Sequence, residues 1–277
     1  MAHKTARVLS CRWGIASPDT PVGRVFGGTC VVPQNLTNSR AIGGQEVNLY
    51  GLIEPRIQNL AFEVQSGALL AQAVRGAGSL PALKFLCSTD AGSFLFEDAY
   101  IHEMHLRFAG AGTLTASLSI MALKVSPSTA QAPAALNLPV YQWHDGQMTL
   151  GGAGKSMAEG VVSFSNNLEY LVDWDGPVDA NQARFPSEIK TDTFESLACR
   201  FTLREPHAAL DPLANAPSTT GAVIKAQRGS NHVTFTLSGL SLAEDELLPI
   251  PGGADEVLEY HLPFYGLHGG LVVTASE

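Results

Sequence analysis

Charged residues are scarce in this chain. Asp, Glu, Lys and Arg make up 16% of its 277 residues, whereas about 25% is typical of soluble proteins. Hydrophobic residues reach 45%, and the length is enough to bury one large core or two ordinary ones. Two interpretations fit a surface so poor in charge. Either other subunits cover much of it, or a β-rich protein presents Ser, Thr and Asn to water.

A basic run is also absent. Asp and Glu outnumber Lys and Arg by 26 to 17. The net charge of -9 and the isoelectric point near 5.3 argue against a protein that holds nucleic acid by neutralising its phosphates, since that needs clustered cations. Nucleic acid that passes nearby without binding remains compatible with this balance.

Cysteine is rare, and no hydrophobic run approaches the roughly 18 residues of a membrane-spanning helix. Cys11, Cys30, Cys87 and Cys199 have neither C-x-x-C spacing nor the density of a secreted disulfide scaffold, so reduced, buried thiols are predicted. The stretch 9–11 has the look of a lipoprotein cleavage site, but the charges before it leave no room for an apolar signal core. We therefore expect a chain that is made and folded in the cytoplasm.

Catalytic motifs are suggested and then fail. Residues 151–156 read Gly-Gly-Ala-Gly-Lys-Ser, but a phosphate loop requires Gly where this chain has Thr149 and a helix where 161–164 predicts a strand. His102 and His105 are one residue too close for the His-Glu-x-x-His zinc motif, and on a strand they face opposite sides.

Carboxylates cluster in 244–246 and 255–259 without a paired base or nucleophile motif, which indicates a solvated face. Gly-x-Ser-x-Gly is absent as well. The sequence therefore predicts no enzyme, no metal site and no cofactor.

The dominant positive signal is period-two alternation. In 113–120 the even positions are apolar and the odd ones are Thr or Ser, which is typical of a half-buried antiparallel strand. The pattern returns in 9–13, 162–164, 233–237 and 258–264, while helical signals are confined to 67–75 and 207–215. The predicted fold class is mainly β, with two tandem β-barrel or β-sandwich domains that each carry a short α-helix and long loops.

The prediction of two domains depends on an internal duplication displaced by about 140 residues. Five elements keep a nearly constant spacing although few residues are identical. The matched segments are 59–64 with 196–203, 66–73 with 207–211, 83–86 with 222–225, 93–96 with 232–235, and 113–120 with 257–262. Chance similarity between two β-rich halves is the competing interpretation.

The predicted division is a first domain over 1–126, a linker over 127–140 that is rich in Pro, Ser and Ala, and a second domain over 141–277. Two further stretches, 18–44 and 173–193, are predicted to be irregular. Loops of this length are uncommon in compact domains unless they have a function, and contact with a neighbouring subunit is the use that we expect.

Three stretches resemble the tail tube proteins, or major tail proteins, of long-tailed, siphovirus-type bacteriophages of the two-barrel variety. Residues 161–169 are similar to the family's strand and Asn-Asn-Leu-Glu turn, ahead of a strand such as 197–204. Residues 233–242 and 249–260 are similar to its closing strands, and 100–121 to its strand, glycine turn and strand.

The resemblance implies a ring of β-barrels that stacks into a hollow virion tube through which the genome passes. One-barrel tube proteins form hexamers and two-barrel proteins form trimers, so a homotrimeric ring with pseudo-sixfold symmetry is expected, with a homohexamer as the alternative. The implied partners are the tape measure, tail terminator and baseplate proteins. DNA carries one charge per roughly 1.7 Å of its axis, so an acidic or neutral wall lets it slide without specific binding.

Candidate site residues follow from this expectation. The candidate lumen-facing carboxylates are Glu63, Glu97, Asp98, Glu103, Glu256 and Glu259. The candidate inter-subunit loop contacts are Phe26, Ile42, Trp174 and Asp175, among which a loop tryptophan is a common interface anchor.

Other interpretations stay open. A baseplate, tail-terminator or injection-machine component with the same fold would form a single ring. A carbohydrate-binding β-sandwich would use Trp13, Trp143 or Trp174 as stacking platforms. An enzyme is the least supported, because no catalytic constellation is found.

Overall fold

The computed structural model describes residues 3–33, 39–40, 46–47, 54–75, 79–131, 138–173, 185–204, 219–242, 260–266 and 270–276. Strands make up 69% of it and helical residues 4%. The mainly β fold that the alternating pattern predicts is therefore confirmed.

The first half contains nine strands and one short helix among the described residues. They are β1 (His3–Gly14), β2 (Thr20–Pro21), β3 (Arg24–Pro33), β4 (Ser39–Arg40), β5 (Glu46–Val47), β6 (Arg56–Glu63), α1 (Ala68–Ala71), β7 (Leu83–Thr89), β8 (Gly92–Ala109) and β9 (Leu114–Ser128).

Ten strands follow in the described part of the second half, after a single 3-10 turn over Trp143–Asp145. They are β10 (Gly146–Leu150), β11 (Ala153–Lys155), β12 (Met157–Ser165), β13 (Glu169–Leu171), β14 (Glu188–Lys190), β15 (Ser196–Leu203), β16 (Thr220–Arg228), β17 (Asn231–Leu242), β18 (Tyr260–Gly266) and β19 (Leu271–Ser276).

Six strands of the first half close into a barrel. Antiparallel pairing runs β1-β3-β6-β9-β8-β7 and returns from β7 to β1. Closure matters because it satisfies the backbone groups that an open sheet leaves at its edges. The alternating side chains of β9 fill the interior, since Leu114, Ala116, Leu118 and Ile120 are all buried.

The second half repeats this pairing order. Its strands run β10-β16-β17-β18-β15-β12, which matches β1-β7-β8-β9-β6-β3 strand for strand. Matched strands that the structure describes, such as 59–64 with 196–203 and 83–86 with 222–225, occupy equivalent places in this order. The segment 207–211 lies outside the described residues. In the described part of the chain, however, β10 and β12 are not paired with each other, so this second unit is an opened version of the first.

The opened strand β12 joins the first half instead. Its residues 159–165 pair antiparallel with 109–103 of β8, and its other edge pairs with β15. The two halves consequently share one sheet. They also share one hydrophobic core, in which Phe62, Phe85 and Phe96 belong to the same cluster as Phe201 and Phe235.

The short helix α1 lies where the halves meet. It contacts β19, and the glycine before it brings the backbone close to β17 and β19. A Cβ on Gly67 would lie 2.6 Å from Cγ2 of Val233 and 2.9 Å from Cβ of Ala275. A residue without a side chain is therefore required for the helix to pack here.

Several expectations about local structure need correction or cannot be compared. The helix predicted over 67–75 is confirmed as a shorter helix, α1, followed by turns, whereas 207–215 lies outside the described residues. The prediction of an irregular stretch over 18–44 was wrong for 24–33. These residues form strand β3, and the glycine pair 27–28 lies in it beside bulges. The predicted linker was wrong at its start, since β9 continues through Ser128. The division into two domains stays a prediction.

We expect Gly67→Ala to lower the free energy of unfolding by about 1–3 kcal/mol, as overpacking of a filled core does. Val233 is β-branched and fully buried, so it cannot move aside. Urea unfolding of the purified protein measures the change. Gly154→Ala is the matched control, because a Cβ there meets nothing within 4 Å. Equal stability of the two variants would contradict the packing argument.

Candidate assembly surface

The outer face of the shared sheet is continuous from the barrel into the second half. Six strands contribute to it in the order β6-β9-β8-β12-β15-β18. One row of directly paired residues is Glu63, Thr115, Arg107, Val161, Arg200 and Pro263; the next is Ala61, Ser117, His105, Ser163, Ala198 and Tyr265.

This joint face results from strict alternation along the strands. The residues between its rows point into the core, as Phe62, Leu106 and Val162 do with 0% exposure each. At 4.7–4.9 Å between neighbouring strands, the six strands give a face about 24 Å wide. The face is mostly polar, and its small side chains alternate with large exposed ones such as Arg107, Arg200 and Tyr265.

Charge on the joint face is mixed. Arg107 donates a hydrogen bond from Nε to Oε1 of Glu159 at 3.0 Å. Its Nη2 lies 2.9 Å from the same oxygen, and this ion pair links β8 to β12 across the two halves. Arg200 is a second exposed cation on β15. The carboxylates of the joint face are Glu63, Glu103 and Glu159, so the face is close to neutral.

The predicted lumen-facing carboxylates that the structure describes all lie near basic side chains. Glu63 is 3.5 Å from Arg24, Glu97 is 2.8 Å from Lys84, and Asp98 is 3.3 Å from Lys124. Glu103 is 3.7 Å from His102 and 3.9 Å from His105. Glu63 and Glu103 belong to the joint face, whereas Glu97 and Asp98 lie on the barrel wall further along β8. Glu256 and Glu259 lie outside the described residues.

The predicted inter-subunit contacts are mostly beyond what the structure describes, because Ile42, Trp174 and Asp175 lie outside the described residues. Phe26 lies in the described part of the chain, and the prediction that it belongs to a loop was wrong. It lies on strand β3 at a bulge. Its ring is 56% exposed, which is unusual for a phenylalanine on a barrel strand.

Two of the three tryptophans can be placed. Trp13 is 8% exposed, so it belongs to the core and offers no stacking platform. Trp143 is 61% exposed and meets the ring of His144 edge-on, with centroids 5.7 Å apart. Trp174 lies outside the described part of the chain.

The Asn-Asn-Leu-Glu turn holds the two halves together through a buried amide. Asn166 is fully buried, and its Nδ2 donates to the carbonyl oxygens of Ala73 and Ile101, at 2.8 Å each. Its backbone N–H donates to the carbonyl oxygen of His102, also at 2.8 Å. One side chain thereby satisfies two carbonyls of the first half that are otherwise sealed from water.

The neighbouring residues of the turn add to this junction. Asn167 adopts a left-handed backbone with φ of 50°, and its Nδ2 donates to the carbonyl oxygen of Phe194 at 2.6 Å. The N–H of Leu168 donates to Nδ1 of His102 at 3.1 Å. Nδ1 must therefore be unprotonated, and burial lowers the pKa of this histidine from its usual value.

A buried ion pair lies beside the turn. Nε of Arg75 is 3.7 Å from Oε1 of Glu195, with side chains that are 14% and 2% exposed. Arg75 also donates from Nη2 to the hydroxyl of Thr193 at 3.1 Å, and that hydroxyl donates to the carbonyl oxygen of Asn166. Sequence reasoning missed this junction, because an isolated asparagine pair gives no signal of where its amides will reach.

A cleft of about 530 Å³ opens on the barrel wall next to the turn. Its lining includes Arg56, His102, Glu103 and Tyr170. Arg56 lies over the Tyr170 ring, 5.3 Å from its centroid, and pairs with Glu54. The Tyr170 hydroxyl donates to the carbonyl oxygen of Pro55 and accepts the N–H of Ala122 at 3.3 Å. Tyr170 thereby links the β13–β14 hairpin to the barrel.

Among the described residues, no His, Cys, Asp and Glu side chains gather in threes where a metal ion could be held. The described helices include none long and apolar enough to cross a membrane. No protein-family model matches the chain, and a search of curated proteins also found no match.

We expect Asn166→Ala to lower the free energy of unfolding by about 2–4 kcal/mol, because it leaves two buried carbonyls without a donor. Asn167→Gly is the matched control: it loses two exposed hydrogen bonds, to the carbonyl oxygen of Phe194 and from the hydroxyl of Ser165, but glycine suits the left-handed backbone. Urea unfolding compares the variants. A loss no greater for Asn166→Ala than for Asn167→Gly would show that the buried amide is not the main link.

His102 predicts a pH dependence of stability. Burial lowers the pKa of this histidine below its usual value of 6.5, so the unfolded chain takes up the proton first as the pH falls. The stabilisation that comes from keeping this imidazole neutral in the folded chain is complete above about pH 6.5. It is lost as the pH falls through the lower pKa of the folded protein. We expect His102→Gln to weaken the decline in unfolding free energy between pH 7.5 and 5.5. His105→Gln, on the same strand, is the control. An unchanged decline in His102→Gln would exclude this origin.

Proposed function

We propose that this chain is a structural virion protein, a subunit that assembles into stacked rings to form the hollow tail tube of a long-tailed bacteriophage. The observation that carries the proposal is the repeated pairing order, β1-β7-β8-β9-β6-β3 and β10-β16-β17-β18-β15-β12, within one chain. The chain contains the same unit twice, and β8 and β12 join the two units edge to edge. Further units joined in the same way would extend the pair into a ring.

The joint face supports the same proposal. Sheet continuity across two units is what a ring needs if its inner wall is to be continuous, and β8 and β12 provide that continuity within the chain. Three chains would supply six units, which is the basis for a homotrimer with pseudo-sixfold symmetry. Six chains with one unit each facing inward is the alternative.

In this proposal the joint face lines the lumen. Glu63 and Glu103 are then two of the predicted lumen carboxylates, and Arg107 and Arg200 make the wall mixed rather than uniformly acidic. Ion pairs such as Arg107–Glu159 leave few free cations for phosphate groups, so DNA passes with weak, sequence-independent contact. The tape measure, tail terminator and baseplate proteins are the other expected partners, and the location is the virion after assembly in the host cytoplasm.

Two alternatives retain specific support. A baseplate, terminator or injection-machine ring would be built from the same repeated units but would not stack into tubes. A carbohydrate-binding β-sandwich would depend on Trp143, which is exposed at 61%, but the burial of Trp13 removes one of its three platforms. The proposal includes no catalysis and no cofactor.

Negative-stain electron microscopy, paired with the mass in solution from light scattering, tests the proposed function. We expect rings with a central hole or hollow tubes, and a mass that gives three chains per ring. Single rings that never stack would favour the baseplate or terminator alternative. A monomer at every concentration would count against self-assembly, and a glycan array would then test the carbohydrate alternative.

A further inference from the structure

Two cysteine side chains lie in contact inside the barrel. Cys11 of β1 and Cys87 of β7 are directly opposite each other in the ladder between these strands, although they are 76 positions apart in the chain. Their Sγ atoms are 3.1 Å apart. Both side chains point into the core, since Cys11 is 1% exposed and Cys87 is fully buried. The contact is therefore fixed by strand register and packing rather than by mobile surface side chains.

The geometry of this pair suits a disulfide bond. Directly opposite residues of antiparallel strands have Cα atoms about 4.5–5.5 Å apart, which lies within the range of about 4.4–6.8 Å that a disulfide accepts. The S–S bond is about 2.05 Å long, so the two sulfur atoms are only about 1 Å further apart than the bond requires. Small rotations of the two side chains cover this distance, and the ladder between β1 and β7 can stay in place.

The other two cysteines lie opposite residues of other types. Cys30 of β3 faces an alanine of β1 and an isoleucine of β6. Cys199 of β15 faces a valine of β12 and a phenylalanine of β18. All four thiols are buried and free. Direct opposition of two thiols across a ladder is thus confined to Cys11 and Cys87.

Burial controls how this pair reacts. It raises the pKa of the Cys87 thiol well above its usual value, and a thiol that stays protonated is a poor nucleophile. Trp13 and Phe85 form the next pair on the same face of the two strands, and both are buried as well. A bulky reagent is excluded from such a site, so a small oxidant is required. Oxidation is slow for the same reason, and a disulfide formed here is shielded from reductants.

We propose that Cys11 and Cys87 are an oxidation site at which hydrogen peroxide produces a cross-strand disulfide in the folded chain. One thiol attacks the peroxide, the O–O bond breaks, and a sulfenic acid and one water molecule result. The second thiol then displaces the hydroxyl group from that sulfur, which forms the S–S bond and releases a second water molecule. The two thiols lose two electrons and two protons, and the peroxide takes up both as it is reduced to water.

The disulfide fastens the amino-terminal strand to the barrel. β1 completes the barrel because it pairs with β7 on one edge and with β3 on the other. A covalent link between residues 76 positions apart removes conformational freedom from the unfolded chain, so the closed barrel becomes harder to open. Thiols stay reduced in the cytoplasm, and the bond therefore forms once the chain meets oxidising surroundings.

Mass spectrometry of the wild-type protein tests the proposal directly. The folded protein is incubated with hydrogen peroxide, unfolded in urea with an alkylating reagent that blocks free thiols, and digested without reductant. We expect a peptide pair joined through Cys11 and Cys87, at least tenfold more abundant than in untreated protein. Cys30 and Cys199 are expected to be alkylated in both samples.

Two variants separate the disulfide from other effects of the oxidant. Cys87→Ala removes one partner of the pair, and Cys199→Ala removes a buried thiol elsewhere in the core. We expect peroxide to raise the thermal midpoint of the wild-type protein and of Cys199→Ala by about 5–10 °C, from the length of the closed loop and the size of the chain. Cys87→Ala is expected to show no rise. Circular dichroism before treatment shows that both variants fold.

The outcomes decide this inference separately from the proposed function, because it involves only two strands of one chain. A wild-type protein whose Cys11 and Cys87 stay free, or gain oxygen without joining, would overturn it. A linkage through Cys30 in place of either residue would overturn it as well. If Cys87→Ala does not fold, the linkage map of the wild-type protein still decides. Assembly into rings or tubes is measured on reduced protein, so neither result there changes this conclusion.

Discussion

One strand, β8, is the constraint on which the rest of the structure depends. It runs for 18 residues, and it changes partner along its length: residues 92–99 pair with β7 and residues 103–109 pair with β12. One edge of a strand can leave one partner and continue along another within the same sheet only if the strand bends between them. Irregularities in β8 supply the bend, with a left-handed Asp98 at φ of 49° and a register shift between Ile101 and Glu103. The barrel, the shared sheet and the joint face all follow from this bend.

The orientation of the two halves depends on more than the bend in β8. The buried polar junction at Asn166 also holds the halves in one arrangement. Asn166 and the Arg75–Glu195 pair lie beside the point where β8 passes from one partner to the other. Buried polar groups contribute modestly to net stability, but each is costly to leave unmatched, so they favour one arrangement over others. The turn therefore fixes the angle of the second unit, while apolar contacts such as those around Phe201 and Phe235 supply most of the stabilisation.

How much of this was predictable from sequence depends on the range of the interaction. Period-two alternation correctly indicated β9 and β17, because it reflects which face of a single strand is buried. Strand matches such as 59–64 with 196–203 and 83–86 with 222–225 were also accessible from the sequence, since they require only spacing. The Gly27-Gly28 pair led to the wrong prediction of an irregular stretch, because glycine is common both in loops and at bulges within strands. The pairing of β8 with β12 and the reach of the Asn166 amide were not accessible, because register and side-chain contacts between distant segments are set by packing that no local pattern records.

The duplication has a consequence for assembly that neither unit has alone. Two units joined edge to edge bring together different surfaces, the strand β8 of one and the edge of β12 of the other. Such a contact is heterologous, and a heterologous contact repeated between identical chains gives a closed ring or an open helix according to its angle. Within the chain that angle is already fixed by the Asn166 junction. If the contact between chains follows the same geometry, the angle that holds β8 against β12 also determines how many units close the ring.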